Sequence, residues 1–348
     1  MMNTKRLQEI LSVFPNIRAA VVGDFFLDRY WNVAPELDEP SVETGLTAYQ
    51  IVDRWGSPGA AGTVTNNLSA LGVGKIDAIG FIGKDGEGVD LAGYLDNIGV
   101  ARTYMLETPL RVTPCYTKPM QNGVEMNRFD IKNRTVTPSV VEEAIISSIR
   151  SIADEVDAFI IMDQVSEPNC GVLTDNVRQC LIQLGRTRPK LLLYADSRER
   201  IGLYDNMLIK CNEREALEVF GLYDGSAPPF ETVKQCGVKL AERTGHTVFI
   251  TMGERGQLVN TPSGNSVKVT HVPAIRVEGD IDICGAGDAT SSALVSSLCS
   301  GATHEEAAMI GNLASSVTIR KIGQTGTATP EEILRAYKQL KINNSRER

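Results

Sequence analysis

The stretch 280-DIDICGAGDATSSALVSSL-298 decides how this chain is read. Acids lead into Gly-Ala-Gly-Asp, and small and apolar residues follow. The text reads as a helix start: Ala289, Ala293, Leu294 and Leu298 supply an apolar face, and Gly301 is placed to end it. A helix N-terminus exposes unpaired N–H groups and carries partial positive charge. Gly285 and Gly287 remove side chains that would keep a ligand from those groups. Such a cradle suits an anion, phosphate above all. Asp288 then has no business there unless its partner is a hydroxyl. A carboxylate beside a phosphate cradle can take the proton of an attacking alcohol, which is what phosphoryl transfer needs. The plainer alternative, a helix capped by its own aspartate in a glycine turn, stays open on this segment alone.

Working outward, two more helix starts follow. Thr303-His304-Glu305-Glu306 and Thr329-Pro330-Glu331-Glu332 both have capping-box spacing, the second with proline at the first helical position. Upstream, short apolar runs end in polar or glycine-containing clusters: 17-IRAAVVGD-24, 158-AFIIMDQ-164, 190-KLLLYADS-197, 207-MLIKCNERE-215 and 247-TVFITMGERG-256. Each is strand-like, and helical text such as 231-ETVKQCGVKLAERTG-245 alternates with them. The pattern predicts an α/β fold with a mostly parallel sheet covered on both faces. Ligands in such sheets bind beyond the carboxyl ends of the strands, so Gly23-Asp24, Asp163-Gln164, Asp196-Ser197, Asn212 and Thr251–Gly253 matter as a group. Turn formation alone would also explain any one of them. The segments 30–55 and 103–131 mix β-formers with Gly, Asn and Pro and are expected to form a small β lid that excludes water from a reaction.

The 348 residues suffice for one large domain, and 42% hydrophobic with 22% charged residues is globular composition. No apolar run reaches the length of a membrane span, and the N-terminal text lacks the apolar core of a signal peptide, so no membrane partner is expected. The net charge of −8 argues against nucleic acid. Seven cysteines without C-x-x-C spacing and three scattered histidines point away from zinc or a disulfide framework and towards a reducing cytoplasm. A G-x-x-x-x-G-K-[ST] loop is absent, and the Gly285 segment lacks the third glycine of a dinucleotide fingerprint.

The segments 22-VGDFFLDRYW-31, 58-PGAAGTVTNNLSALG-72, 80-GFIGKDGEG-88, Asn212-x-x-Glu215, 251-TMGERG-256 and 282-DICGAGD-288 occur in an order and spacing that resembles the ribokinase-like (PfkB) sugar kinases, roughly from Arg18 to Leu340. The likeness is greatest to the kinase domain that phosphorylates a heptose phosphate. The resemblance implies a single three-layer α/β/α kinase domain over residues 1–348, with the lid inserted. It implies ATP and Mg²⁺ as cofactors, a monovalent cation such as K⁺, a sugar or sugar phosphate as acceptor, and a homodimer joined through the lids.

It also implies residue roles. Asp288 matches the base, and the N–H groups of Gly285, Ala286 and Gly287 match the anion hole. Asn212 and Glu215 organise Mg²⁺ and phosphate, largely through water. Thr251, Gly253 and Gly256 match the nucleotide loop, and Asn312 falls near the adenine. Asp28 and Gly59 match sugar-binding positions, with Asp24 beside them. Thr63 stands where the family carries an asparagine that meets a sugar hydroxyl. Arg128, with Arg111, Lys118 and Lys132, is a candidate cation for a substrate phosphate. Asp282 and Cys284 fall where carbonyl oxygens hold a monovalent cation. Read locally, Asp28 is also compatible with a surface turn, Glu215 with an ordinary first-turn acid, and Asn312 with a packed helix face. This sequence departs from the family pattern at Gly59-Ala60-Ala61-Gly62-Thr63 and at Asp163-Gln164-Val165-Ser166, which lacks the heptose kinases' lysine; 36-ELDEPSVET-44 is acidic. Two further readings fit the same motifs: a nucleoside or small-alcohol kinase, and a non-catalytic sugar or nucleotide sensor.

Overall fold

The computed structural model describes residues 2–323 and 325–346. In chain order the strands are β1 (Arg18–Gly23), β2 (Phe25–Val33), β3 (Glu39–Pro40), β4 (Thr47–Ala48), β5 (Ile51–Ala60), β6 (Lys75–Gly83), β7 (Ala101–Thr108) and β8 (Cys115–Gln121). They continue as β9 (Val124–Glu125), β10 (Phe129–Ile131), β11 (Ala158–Asp163), β12 (Leu192–Ser197), β13 (Leu208–Asn212), β14 (Val248–Thr251), β15 (Gln257–Ser263) and β16 (Ser266–Val272). The helices are α1 (Thr4–Leu11), α2 (Ala61–Ala70), α3 (Gly86–Asn97), α4 (Ser139–Ile152) and α5 (Asp175–Thr187). After them come α6 (Glu213–Glu218), α7 (Phe230–Thr244), α8 (Ala286–Cys299), α9 (His304–Thr318) and α10 (Pro330–Arg346).

The main sheet runs β16-β15-β14-β13-β12-β11-β1-β6-β7. Its pairs from β14 to β7 are parallel, and β15 and β16 close one edge antiparallel. Alternate residues of each strand feed opposite cores, as the two-residue period requires. Ala19 and Val21 pack with α1, α2, α3, α8, α9 and α10, while Ala20 and Val22 pack with α4, α5, α6 and α7. The chain leaves β1 towards β6 on one side and returns to β11 on the other. The strand order therefore reverses between β1 and β11, which is where α/β sheets open a crevice. The crevice wall is close-set: a Cβ on Gly23 would lie 2.3 Å from the Met162 carbonyl oxygen.

The lid is a second sheet, β10-β8-β2-β5, with β9 paired to β8. Its limits differ from the expected spans. Residues 101–108 are β7, the edge of the main sheet, so the second lid segment starts at Cys115, and the first extends to Phe25 and Ala60. β7 misleads because it sits at a sheet edge, partly exposed, and lacks the unbroken apolar run of the central strands.

Helix α8 also differs from the amphipathic reading. Residues Ala289 to Ser297 are all buried, because α8 lies between α2 and α9. Several of its hydroxyls are satisfied inside, as Ser297 donates to the Ala293 carbonyl (2.7 Å) and Ser292 to that of Val64 (3.2 Å), whereas Ser296 Oγ has no partner among the described residues. Both expected capping boxes form, at Thr303 with Glu306 and at Thr329 with Glu332.

Candidate active site

The strand ends named by the sequence meet along one edge of the sheet, and α8 points its N-terminus at them. Gly285 caps α8 in the left-handed region, with φ 75°. A Cβ there would lie 2.6 Å from Thr325 Cγ2, so the turn demands glycine twice over. The amides of Gly285 and Gly287 have no acceptor among the described residues, whereas Ala286 N–H donates to the Ile283 carbonyl at 3.2 Å. The open cradle in this form thus comprises Gly285 and Gly287, not all three amides.

Beneath it lies a polar network that is buried and paired. Lys210, on β13, reaches Asp196 Oδ2 of β12 at 2.5 Å. Ser291, one turn beyond Asp288, donates to the same oxygen at 3.2 Å and accepts from Tyr194 at 2.8 Å. The Lys210 ammonium stands 3.5 Å from where Gly287 would carry a Cβ. Burial opposes its charge, but Asp196, Tyr194 and Glu215 outweigh burial and keep it protonated. Asp288 is half-buried beside this group. Burial and the Asp196 charge push its pKa up to about 7, against the pull of Lys210 and Arg198. The carboxyl is thus poised to exchange a proton near neutral pH, as a general base must be.

Asn212 and Glu215 form a reciprocal capping box: the Asn212 side chain accepts from Glu215 N (2.9 Å) and Glu215 Oε2 from Asn212 N (2.7 Å). Burial, then the Asp196 charge, raises Glu215 to about 6. Its second oxygen has no hydrogen-bond partner among the described residues. No group of three potential ligands converges to cage a metal among the described residues. This donor set fits a Mg²⁺ ion held mainly by water and phosphate oxygens. Thr251 ends β14, and its hydroxyl donates to the Cys211 carbonyl at 3.4 Å. Gly253 (φ 54°) faces open space, while a Cβ on Gly256 (φ 84°) would strike the Val272 carbonyl at 2.2 Å. Arg255 between them ties this loop to Glu213 of α6. Asp282 accepts from Cys284 N (2.9 Å) and Gly323 N (3.1 Å), so it organises the loop before the cradle.

Across the cradle, Asp28 rises from the lid. Its Oδ1 lies 3.2 Å from Lys118 Nζ, and a Cβ on Gly59 would meet its Oδ2 at 2.4 Å. A crevice under the lid strands is lined by Phe26, Phe81, Tyr116, Lys132, Glu167 and Arg198 among others.

Four expected contact residues have partners within the protein. Asp24 is buried, and its carboxylate is spent on the amides of Gln164, Val165 and Val172 (3.0, 3.1 and 2.7 Å). These bonds make it a brace of the crevice wall. Burial, with Asp163 nearby, raises it to about 6. The Thr63 hydroxyl donates to its own Pro58 carbonyl at 3.3 Å and turns its methyl towards Gly285. Arg128 is exposed, holds Asp130 with two hydrogen bonds and lies over Tyr116, so its charge is neutralised outside the crevice. Asn312 accepts from Gln257 (2.6 Å) and donates to the Pro273 and Val272 carbonyls, so its amide ties α9 to the end of β16.

Two residues escaped the sequence reading. Lys210 carried a signal, a lysine inside the apolar run 207–211, since buried lysine demands a partner. Arg198 carried none, because an arginine just after a strand is ordinary loop text.

A model described as the pfkB family of carbohydrate kinases matches residues 37–332. Curated relatives include the bifunctional protein HldE of Desulfatibacillum aliphaticivorans, 28% identical over 325 residues, covering 92% of this chain and 63% of that protein. HldE of Geobacter sulfurreducens is 27% identical over 342 residues, covering 96% and 65%. The chain therefore spans less than two thirds of these relatives. Among solved structures, the ribokinase of Thermotoga maritima superposes with a TM-score of 0.65 at 17% identity, covering 92% of this chain and 99% of that one. Phosphofructokinase-2 of Escherichia coli, solved with substrates and products, reaches 0.71 at 16% identity, covering 93% and 99%. The fold is ribokinase-like. No helix among the described residues is long and apolar enough to cross a membrane.

Proposed function

The chain belongs to the pfkB family of carbohydrate kinases, and on that footing we propose that it moves the γ-phosphoryl of ATP to a hydroxyl of a sugar or sugar phosphate. One observation carries the reading: Asp288, raised to about 7, directly follows the unpaired amides of Gly285 and Gly287. Asp288 takes the proton of the acceptor hydroxyl. That oxygen bonds to the γ-phosphorus as the bond to the bridging oxygen of ADP breaks, and the cradle with Lys210 holds the transferring group. Mg²⁺, when bound, neutralises phosphate charge, and Glu215 would hold it through water. Asn212, Thr251, Gly253 and Gly256 shape the nucleotide side, and Asp28 accepts acceptor hydroxyls once Lys118 yields. Asp282 and Cys284 frame the loop on which a monovalent cation such as K⁺ would sit.

The test is ATP-dependent phosphorylation of a sugar and sugar-phosphate panel by the wild type and Asp288→Asn. Full activity of the variant would remove the base assignment. The aromatic wall of Phe26, Phe81 and Tyr116 favours a second reading, a nucleoside acceptor, which thermal shifts with nucleosides against sugars separate. A homodimer through the lids is supported by the exposed apolar residues Ile51, Val52, Trp55 and Phe129 on the lid strands. A monomer by sedimentation at micromolar concentration would exclude it.

A further inference from the structure

Most cations around the crevice already have an acidic partner. Lys118 is held by Asp28, Arg200 by Asp163 and Lys210 by Asp196, while Lys132 shares the single carboxylate of Asp130 with Arg128. Arg111 is buried and spends its guanidinium on the carbonyls of Thr135, Val136 and Cys170. Arg198 is the exception. It follows the last residue of β12, is exposed, lines the crevice, and its side chain has no hydrogen-bond or ion-pair partner among the described residues. Its charge acts on the Tyr116 phenol on the lid side and on the Asp288 carboxyl on the cradle side. It therefore stands across the space that an acceptor must fill.

The wall that carries it is rigid. Arg200 grips both oxygens of Asp163 and the carbonyls of Val165 and Ser166, and Asp24 pins the amides of the same loop. A guanidinium without a carboxylate, carried beside that wall and lining the crevice, is suited to a bidentate oxyanion. The Glu167 carboxylate of the same lining has no side-chain partner among the described residues, and with Ser166 it suits hydroxyls rather than the anion.

Resting on the kinase reading, we propose that the acceptor carries an oxyanion, a phosphate or a carboxylate, remote from the hydroxyl that reacts, and that Arg198 binds it. Arg198 is then a specificity residue, and the substrate class is a sugar phosphate or a sugar acid rather than a neutral sugar.

The experiment uses the full chain with ATP and matched acceptors: neutral hexoses, hexose 6-phosphates and hexonic acids. ADP release gives kcat and KM, and calorimetry without ATP gives binding. The wild type is expected to favour one anionic set, and that arm identifies the oxyanion. Arg198→Ala should raise KM for that set about 10- to 100-fold, the loss of a charge-assisted bidentate contact, with the KM for ATP little changed. Arg198→Lys should recover part of the loss. Equal loss of kcat with neutral and anionic acceptors would overturn the proposal and assign Arg198 to the transferring phosphoryl. Neutral hexoses bound and turned over as well as the anionic sets would overturn it too. Failure of the kinase reading looks different: anionic acceptors bind, yet no ADP forms with any. In that case the calorimetry of Arg198→Ala still decides the oxyanion contact.

Discussion

Lys210 Nζ lies 2.5 Å from Asp196 Oδ2 and 3.5 Å from where a Cβ would stand on Gly287, the residue before the candidate base. This pair fixes the charge on both sides of the cradle. In the proposed transfer the ammonium would meet the phosphoryl from below, while Asp196 raises the proton affinity of Asp288. A buried pair of this kind contributes little net stability, yet removing one partner strands the other.

Lys210→Met should therefore destabilise the protein by about 3–5 kcal/mol in urea unfolding. Adding Asp196→Asn should restore most of the stability and leave turnover low. Recovery of turnover along with stability would mean that Lys210 serves folding alone.

Asp288→Asn should fold, bind ATP and lose about 10²- to 10⁴-fold in kcat, the range of a lost general base. The pKa of Asp288 rises from 3.8 in the unfolded chain to about 7 in the native state. The native state thus pays for a buried charge above pH 7, and this penalty fades as pH falls through 7 towards 4. The asparagine variant should gain most in melting temperature at pH 8 and lose that gain as the solution is acidified. An increment that does not change with pH would contradict the burial argument.

The acid limb of kcat/KM should have an apparent pKa near 7, set by Asp288 in the free enzyme. Asp196→Asn removes the negative neighbour and should move that limb to lower pH. A pH–rate profile of the two proteins checks the direction.

Ala60 adopts φ 54°, ψ −117° at the start of α2, a conformation that only glycine takes without strain. Ala60→Gly should stabilise the protein by about 1–3 kcal/mol. Destabilisation in thermal melts would show that the native backbone at this junction differs.

Gly285→Ala should destabilise α8 by at least roughly 1 kcal/mol for the left-handed dihedral, with the Thr325 contact in addition. Thr325→Ser in the same chain should relieve the contact and leave the dihedral cost. The difference between the two variants, read by urea unfolding, separates the effects.

The sequence by itself determined the strand–helix alternation, the capping boxes at Asn212, Thr303 and Thr329, and the glycine turn before Asp288. These are local matters: periodicity, hydrogen bonds three residues apart, and backbone angles that require glycine. It also marked the strand ends that assemble along one edge, because parallel sheets collect them there. Only the tertiary structure decided which polar groups are spent and which are free. Asp24, Thr63, Arg128 and Asn312 read as ligand contacts, but each has partners supplied by its own loop or by distant segments, which no local pattern reveals. Arg198 and Lys210 show the converse. One cation is left unpaired in the crevice and the other is drawn under the cradle by Asp196, because charge compensation depends on which strands become neighbours.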